Sequence, residues 1–159
     1  MLWQLSLLYF TGLSSQCYYH YSKIFRGHCY FGNVQKLNWY QALHSCRQQN
    51  GYLADIDSAQ ENTAVANVFS SSSNTHLALI GLNDINQERR WVWQLNGYSS
   101  IATYTNWARN QPDNSGNEDC AEILLRDGVY SGSYKGGWND APCSTYATAS
   151  VCETGRSTY

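Results

Sequence analysis

Six cysteines constrain this chain more than any other feature. Cys17, Cys29, Cys46, Cys120, Cys143 and Cys152 are spread over 159 residues, and no two stand at Cys-x-x-Cys spacing. That argues against a zinc centre or a thioredoxin-like redox site. An even count in a small chain favours disulfides and an oxidising compartment. All six can pair internally, which leaves no thiol for covalent oligomers, but fifteen pairings exist and the spacing does not choose among them. A chain of this length fits one domain that buries most of its apolar surface. Ahead of Cys17, Leu2 to Phe10 form an apolar block followed by small residues. Met1 to Ser15 therefore reads as a signal peptide, too short to span a bilayer. The expectation is a secreted protein with its domain at 17–153 and a short tail at 154–159. No other apolar run approaches transmembrane length, so membrane insertion is not expected. No Asn-x-Ser/Thr acceptor is present.

Local patterns predict an α+β order. Tyr18 to Phe31 reads as a strand hairpin turning at Gly27. Asn38 caps a helix through Gln49, with Trp39, Ala42, Leu43 and Cys46 at helical spacing and Asn50-Gly51 at its end. Leu53 to Ile56 alternates like a short strand. Ser58-Ala59-Gln60-Glu61 is a capping-box sequence opening a second helix to about Phe69, with Ala64, Val65 and Val68 inward. Leu77 to Leu82 is a buried strand, Trp91-Val92-Trp93 a second, and Ile123–Leu125 and Thr148–Val151 are late strands. Gly97 to Cys120 reads as a long irregular stretch, which inside a compact domain is usually functional. A net charge of −2 with scattered Lys and Arg gives no footprint for nucleic acid.

The last third carries the chemistry. Gln111, Asp113, Glu118, Asn139 and Asp140 all present side-chain oxygens, the ligands that Ca²⁺ takes in sets of six to eight. Two are amides, and an amide beside a carboxylate sets a donor next to an acceptor. A sugar hydroxyl that also ligates the ion needs that pair, so the set implies a calcium-dependent sugar site.

Taken together, these positions resemble the C-type lectin-like domain over essentially all of Cys17 to Glu153. The family's Trp-Ile-Gly-Leu strand corresponds to Leu79-Ile80-Gly81-Leu82, followed by Gln111-Pro112-Asp113 and Trp138-Asn139-Asp140. The resemblance implies the long form of the fold, with two helices, small antiparallel sheets, a long loop, and bridges Cys17–Cys29, Cys46–Cys152 and Cys120–Cys143. It puts the principal calcium ligands on Gln111, Asp113, Glu118, Asn139 and Asp140, with a cis bond before Pro112. An auxiliary calcium site falls on Asp84, Glu88, Asn114 and Asp119. In this family Gln-Pro-Asp accompanies galactose-type sugars and Glu-Pro-Asn mannose-type ones. The implied ligand is therefore galactose or N-acetylgalactosamine on a glycan or glycoprotein, with Gln111 and Asn139 donating and Asp113 and Glu118 accepting. Galactose binders of the family often carry a Trp just after the triplet. Here Asn114-Ser115-Gly116-Asn117 follows, which leaves Tyr130 and Tyr134 as the candidates to stack on the sugar.

Two other functions compete. For an enzyme, His20, His28, His44 and His76 form no zinc-spaced pair, and neither a nucleophile elbow nor a phosphate loop is present; no catalysis is expected. The alternative is a calcium-independent protein-binding module, which retention of all five ligand positions disfavours. No collagen-like or heptad stalk precedes the domain, so multivalency calls for a non-covalent, side-by-side homo-oligomer.

Overall fold

The computed structural model describes residues 17–72 and 74–155; the leader at 1–15 and the end of the chain lie outside them. The first hairpin pairs β1 (Ser22–Phe25) with β2 (His28–Asn33). Arg26 and Gly27 both take positive φ, 47° and 81°, as a two-residue turn matched to strand twist requires. Helix α1 (Trp39–Gln48) starts on a complete capping box: Gln41 N donates to Asn38 Oδ1 (3.0 Å) and Asn38 N to Gln41 Oε1 (3.1 Å). It ends with Asn50 left-handed, and the N–H groups of Asn50 and Gly51 return to the carbonyls of Arg47 and Cys46, a Schellman motif. Trp39, Ala42 and Cys46 are its buried stripe, with Leu43 half-buried.

Helix α2 is shorter than its pattern implied, Ala59–Ala66 rather than to Phe69. Its box is half-formed. Ser58 Oγ accepts from Glu61 N, but the Glu61 carboxylate accepts from Asp57 N (2.7 Å) and from Tyr30 Oη instead of returning to Ser58. Glu61, Asn62, Val65 and Ala66 face inward, and Ala64 is only half-buried.

The remaining strands are β3 (Tyr52–Leu53), β4 (Leu77–Asn83), β5 (Val92–Gln94), β6 (Ser99–Ile101), β7 (Cys120–Leu124), β8 (Trp138–Ala141) and β9 (Ser150–Thr154). They hydrogen-bond in the order β1-β2-β9-β4-β5-β6, with β3 on β9, β7 also on β4, and β8 on β7. The predicted strand at Leu53–Ile56 thus begins earlier and ends sooner. Two strands went unread: β6, inside the supposedly irregular stretch, and β8, whose polar motif hid its pairing with β7.

Apolar side chains alternate between two core clusters along β4: Ala78, Ile80 and Leu82 in one, Leu79 in the other. Helix α1 covers the Leu79 cluster and α2 the other. Burial on both faces is why β4 reads as a continuous apolar run. Gly81 is required there, because a Cβ would stand 2.7 Å from the Leu53 carbonyl oxygen. Cys17–Cys29, Cys46–Cys152 and Cys120–Cys143 are the three disulfides, the pairing that the resemblance implied.

The site depends on Trp138, which is fully buried. Its ring meets those of Trp93, Tyr104 and Trp107 edge-on at 5.6–5.8 Å. Its indole N–H donates to Asn62 Oδ1 at 2.7 Å, and Asn62 Nδ2 donates to the Gly136 carbonyl at 2.9 Å. Asn62→Ala leaves the buried indole N–H without an acceptor, which costs about 1–3 kcal/mol. Denaturant unfolding with the disulfides intact measures this; a loss within experimental error would show that another acceptor replaces the amide.

Candidate functional site

The loop ahead of β7 is built from residues that tolerate left-handed backbone. Asn110, Asn114 and Asn117 take φ of 65°, 51° and 68°, a region Asn enters more readily than most residues. The Gln111–Pro112 bond is cis. The loop is held to β8 by one carboxylate: Asp140, fully buried, accepts from Asp113 N at Oδ1 (3.2 Å) and from Asn114 N at Oδ2 (2.7 Å). Ser115 N bridges Asp113 Oδ1 and Glu118 Oε2, both at 3.1 Å.

These contacts gather Asp113, Glu118 and Asp140, whose ligand oxygens lie within 4.8 Å of one another. Three carboxylates so close repel. Burial, then the Asp140 charge, then the hydrogen bond and charge of Asp113 push the Glu118 carboxyl up to about 7, partly offset by Ser115 N–H. Gln111 Oε1 is buried and without a hydrogen-bond partner. A repelling carboxylate trio is a donor set that a hard cation satisfies, and an orphaned amide oxygen on the same loop is a further oxygen of the kind such an ion takes.

Asn139 stands apart from this pattern in one respect. Its Nδ2 donates to Glu122 Oε1 (3.2 Å) and to the Asp140 carbonyl (2.6 Å), so both amide hydrogens are engaged. Its oxygen is what remains for a cation, and donating to a hydroxyl requires one of those contacts to be exchanged.

Among the described residues only the Asp113 trio meets that three-carboxylate geometry; the auxiliary positions lie near one another, the charges of Glu88 and Asp119 both acting on Asp84. Asn114 Nδ2 donates to Glu88 Oε2 (2.6 Å) and Asn114 Oδ1 accepts from Glu118 N (2.6 Å). Asp119 Oδ2 is held by Asn117 Nδ2. Asp84 keeps one buried, unpartnered oxygen while the other accepts from Arg89 N. Burial raises its carboxyl above the usual range, against the Arg89 N–H that lowers it.

Of the two tyrosines, Tyr130 borders a cavity together with Glu118 and Asn139. Tyr134 does not, and its hydroxyl turns to Asn106 Oδ1 (3.4 Å) and the Trp107 carbonyl (3.3 Å). The residue missed from sequence is Glu122. It is buried, faces Asn139 across the β7–β8 ladder, and accepts from Tyr130 Oη (2.8 Å). Its period-two alignment with Cys120 and Leu124 was the available signal.

Sign and direction follow for the metal-free protein. A carboxyl raised in the folded state favours folding while protonated. That contribution is complete below the unfolded value of about 4.3 and is lost as pH rises through the folded value. In EDTA, the thermal midpoint therefore declines from about pH 5 to about pH 8, and Glu118→Gln reduces the decline. An identical decline in the variant would remove Glu118 as its source.

Comparison with known proteins gives a consistent neighbourhood. The sequence profile of the Lectin C-type domain matches residues 35–154. The "C-type lectin domain family 4 member M" of Pan troglodytes is 36% identical over 119 residues, 75% of this chain and 24% of that protein. The "Hepatic lectin" of Gallus gallus is 32% identical over 149 residues, 93% of this chain and 63% of that protein. The chain thus spans between about a quarter and about two thirds of these relatives. Among solved structures, the mouse scavenger receptor C-type lectin carbohydrate-recognition domain superposes with a TM-score of 0.70 at 29% identity, covering 87% of this chain and 98% of that one.

Proposed function

The chain belongs to the Lectin C-type domain family, and on that premise we propose that it is an extracellular, calcium-dependent carbohydrate-binding protein with a galactose-type preference. The observation that carries this reading is the Asp113–Glu118–Asp140 trio, supported by the buried, unpartnered side-chain oxygen of Gln111 two positions before Asp113. Ca²⁺, when bound, offers open coordination positions that two neighbouring sugar hydroxyls fill. The residues proposed to hold it are Gln111, Asp113, Glu118, Asn139 and Asp140. Around those hydroxyls, the Gln111 amide donates while Asp113 and Glu118 accept. Asp140 keeps the loop on β8 through two backbone N–H groups, so the ligand set is pre-arranged. Tyr130, 43% exposed and bordering the cavity with Glu118 and Asn139, is the better placed stacking partner. The Asp84 set is proposed as a weaker second cation site, because an amide at Asn114 replaces a charge. Three disulfides fit the extracellular setting.

The test is retention on immobilised galactose in calcium and release by EDTA, followed by a glycan array. Binding to mannose or fucose alone would overturn the galactose preference, and retention unaffected by chelator would favour a protein-binding module. Acid also releases the sugar, because protonated carboxylates do not hold the ion; undiminished binding well below about pH 4 would contradict the mechanism.

The donor–acceptor order supplies a sharper check. Exchanging it with Gln111→Glu and Asp113→Asn shifts preference towards mannose-type sugars while calcium affinity is kept. A double variant that keeps its galactose preference would show that these two side chains do not set it.

A further inference from the structure

We propose that the chain carries an anion site apart from the candidate metal site: a hollow that takes a tetrahedral oxyanion, sulfate or phosphate, as the free ion or as an ester. Ten Lys and Arg residues are scattered along a chain of net charge −2, yet folding brings Arg126 and Lys135 into the lining of one hollow of about 320 Å³. It lies between the turn after α2, the approach to β4 and the segment beyond β7. Leu125, in its wall, stands four positions past Ala121, the residue opposite Asp140. Four positions span about 13 Å along a strand, more than the Debye length of about 8 Å at physiological salt. Salt therefore screens the carboxylate trio from this hollow, and its ligand needs neither calcium nor a metal-held sugar.

Each cation is positioned by a neutral oxygen. Arg126 Nη2 donates to the Ser72 carbonyl at 3.0 Å, and Lys135 Nζ donates to Asn67 Oδ1 at 2.7 Å. The Asn67 amide is itself turned by its Nδ2, which donates to the Thr63 carbonyl at 2.8 Å. A neutral acceptor orients a cation without cancelling its charge. Ser72 Oγ and Thr75 Oγ1 lie 2.8 Å apart on the same lining; their bond spends one of two hydroxyl hydrogens and leaves the other to donate. Donors thus come from three segments of the chain: a guanidinium fork, an ammonium and a hydroxyl. A carboxylate presents two oxygens to such a set, whereas sulfate and phosphate groups present three or four. Buried Phe69 and Leu125 supply the apolar part of the wall, where a charge-assisted bond is stronger than in water. The carboxylate on the lining, Asp127, accepts from Lys135 N at 2.7 Å. Two cations against one carboxylate leave the lining positive.

Amide NMR titrations in EDTA and low salt, with the disulfides intact, compare sodium sulfate, sodium phosphate, glucose 6-sulfate, glucose 6-phosphate and glucose. Saturable shifts of the Leu125, Arg126, Asp127 and Lys135 amides are expected with the four anions and none with glucose. Lys135→Gln keeps a side-chain donor for Asn67 and is expected to weaken binding roughly tenfold. Asp127→Asn keeps an acceptor for Lys135 N while removing the opposing charge, and is expected to tighten binding several-fold, a gain that misfolding cannot mimic. Lys23→Gln makes the same charge change as Lys135→Gln on the exposed side of β1 and is expected to alter nothing. An ester that binds more tightly than its free ion identifies the esterified group as the ligand, and one that binds no more tightly identifies the free ion; both uphold the site. Shifts spread over other basic residues without saturation, an equal response to the two lysine variants, or acetate binding as tightly as sulfate would overturn it. So would sulfate binding that is absent in EDTA and returns with calcium.

Discussion

The site hangs on the burial of Trp138. Its ring sits among three aromatic neighbours, and its N–H is satisfied by Asn62 from α2. That anchor fixes where β8 lies, and the next two residues, Asn139 and Asp140, inherit the position. Asp140 then collects the backbone of Asp113 and Asn114. One packed indole thus orders a strand, the strand orders a carboxylate, and the carboxylate orders a loop that has little regular structure of its own. A polar site built this way draws its rigidity from apolar contacts several residues removed.

Electrostatics acts against that rigidity. Glu118, Asp84 and Glu122 all have carboxyls raised by burial, and the charge of Asp140 contributes to each. Glu122 is eased by donors from Tyr130 and Asn139. Glu118 has only a backbone N–H to oppose burial and two neighbouring acids. The site is therefore least comfortable where the trio is tightest, which is where a cation has most to offer.

Local signals in the sequence were the dependable ones. The capped start and Schellman end of α1, the hairpin turn and the apolar run of β4 are each dictated by residues within a few positions, and each formed as read. What escaped depends on partners that the residue pattern of the segment itself does not declare. Strand β6 is three residues long and gains its identity from β5. Strand β8 is polar in sequence yet wholly buried. The side chain of Glu61 left its expected capping role because Tyr30 and Asp57 offered better partners. Glu153, fully buried, accepts from Tyr52 Oη and Asp55 N and lies 2.5 Å from His28 Nδ1, contacts no window of sequence could reveal. At the site, residue types declared the donor set, while the engagement of Asn139 by Glu122 required the strand register.

The edge hairpin has a topological consequence. Cys17 is bonded to Cys29, and Cys29 lies opposite Thr154 in the β2–β9 ladder. The two ends of the described chain are therefore held side by side, at β2 and β9. Along the hydrogen-bonded path β1-β2-β9-β4-β7-β8, β4 and β7 stand between those ends and the strand bearing Asn139 and Asp140. Strain at either end of the described chain thus has to cross two strands before it reaches the candidate site.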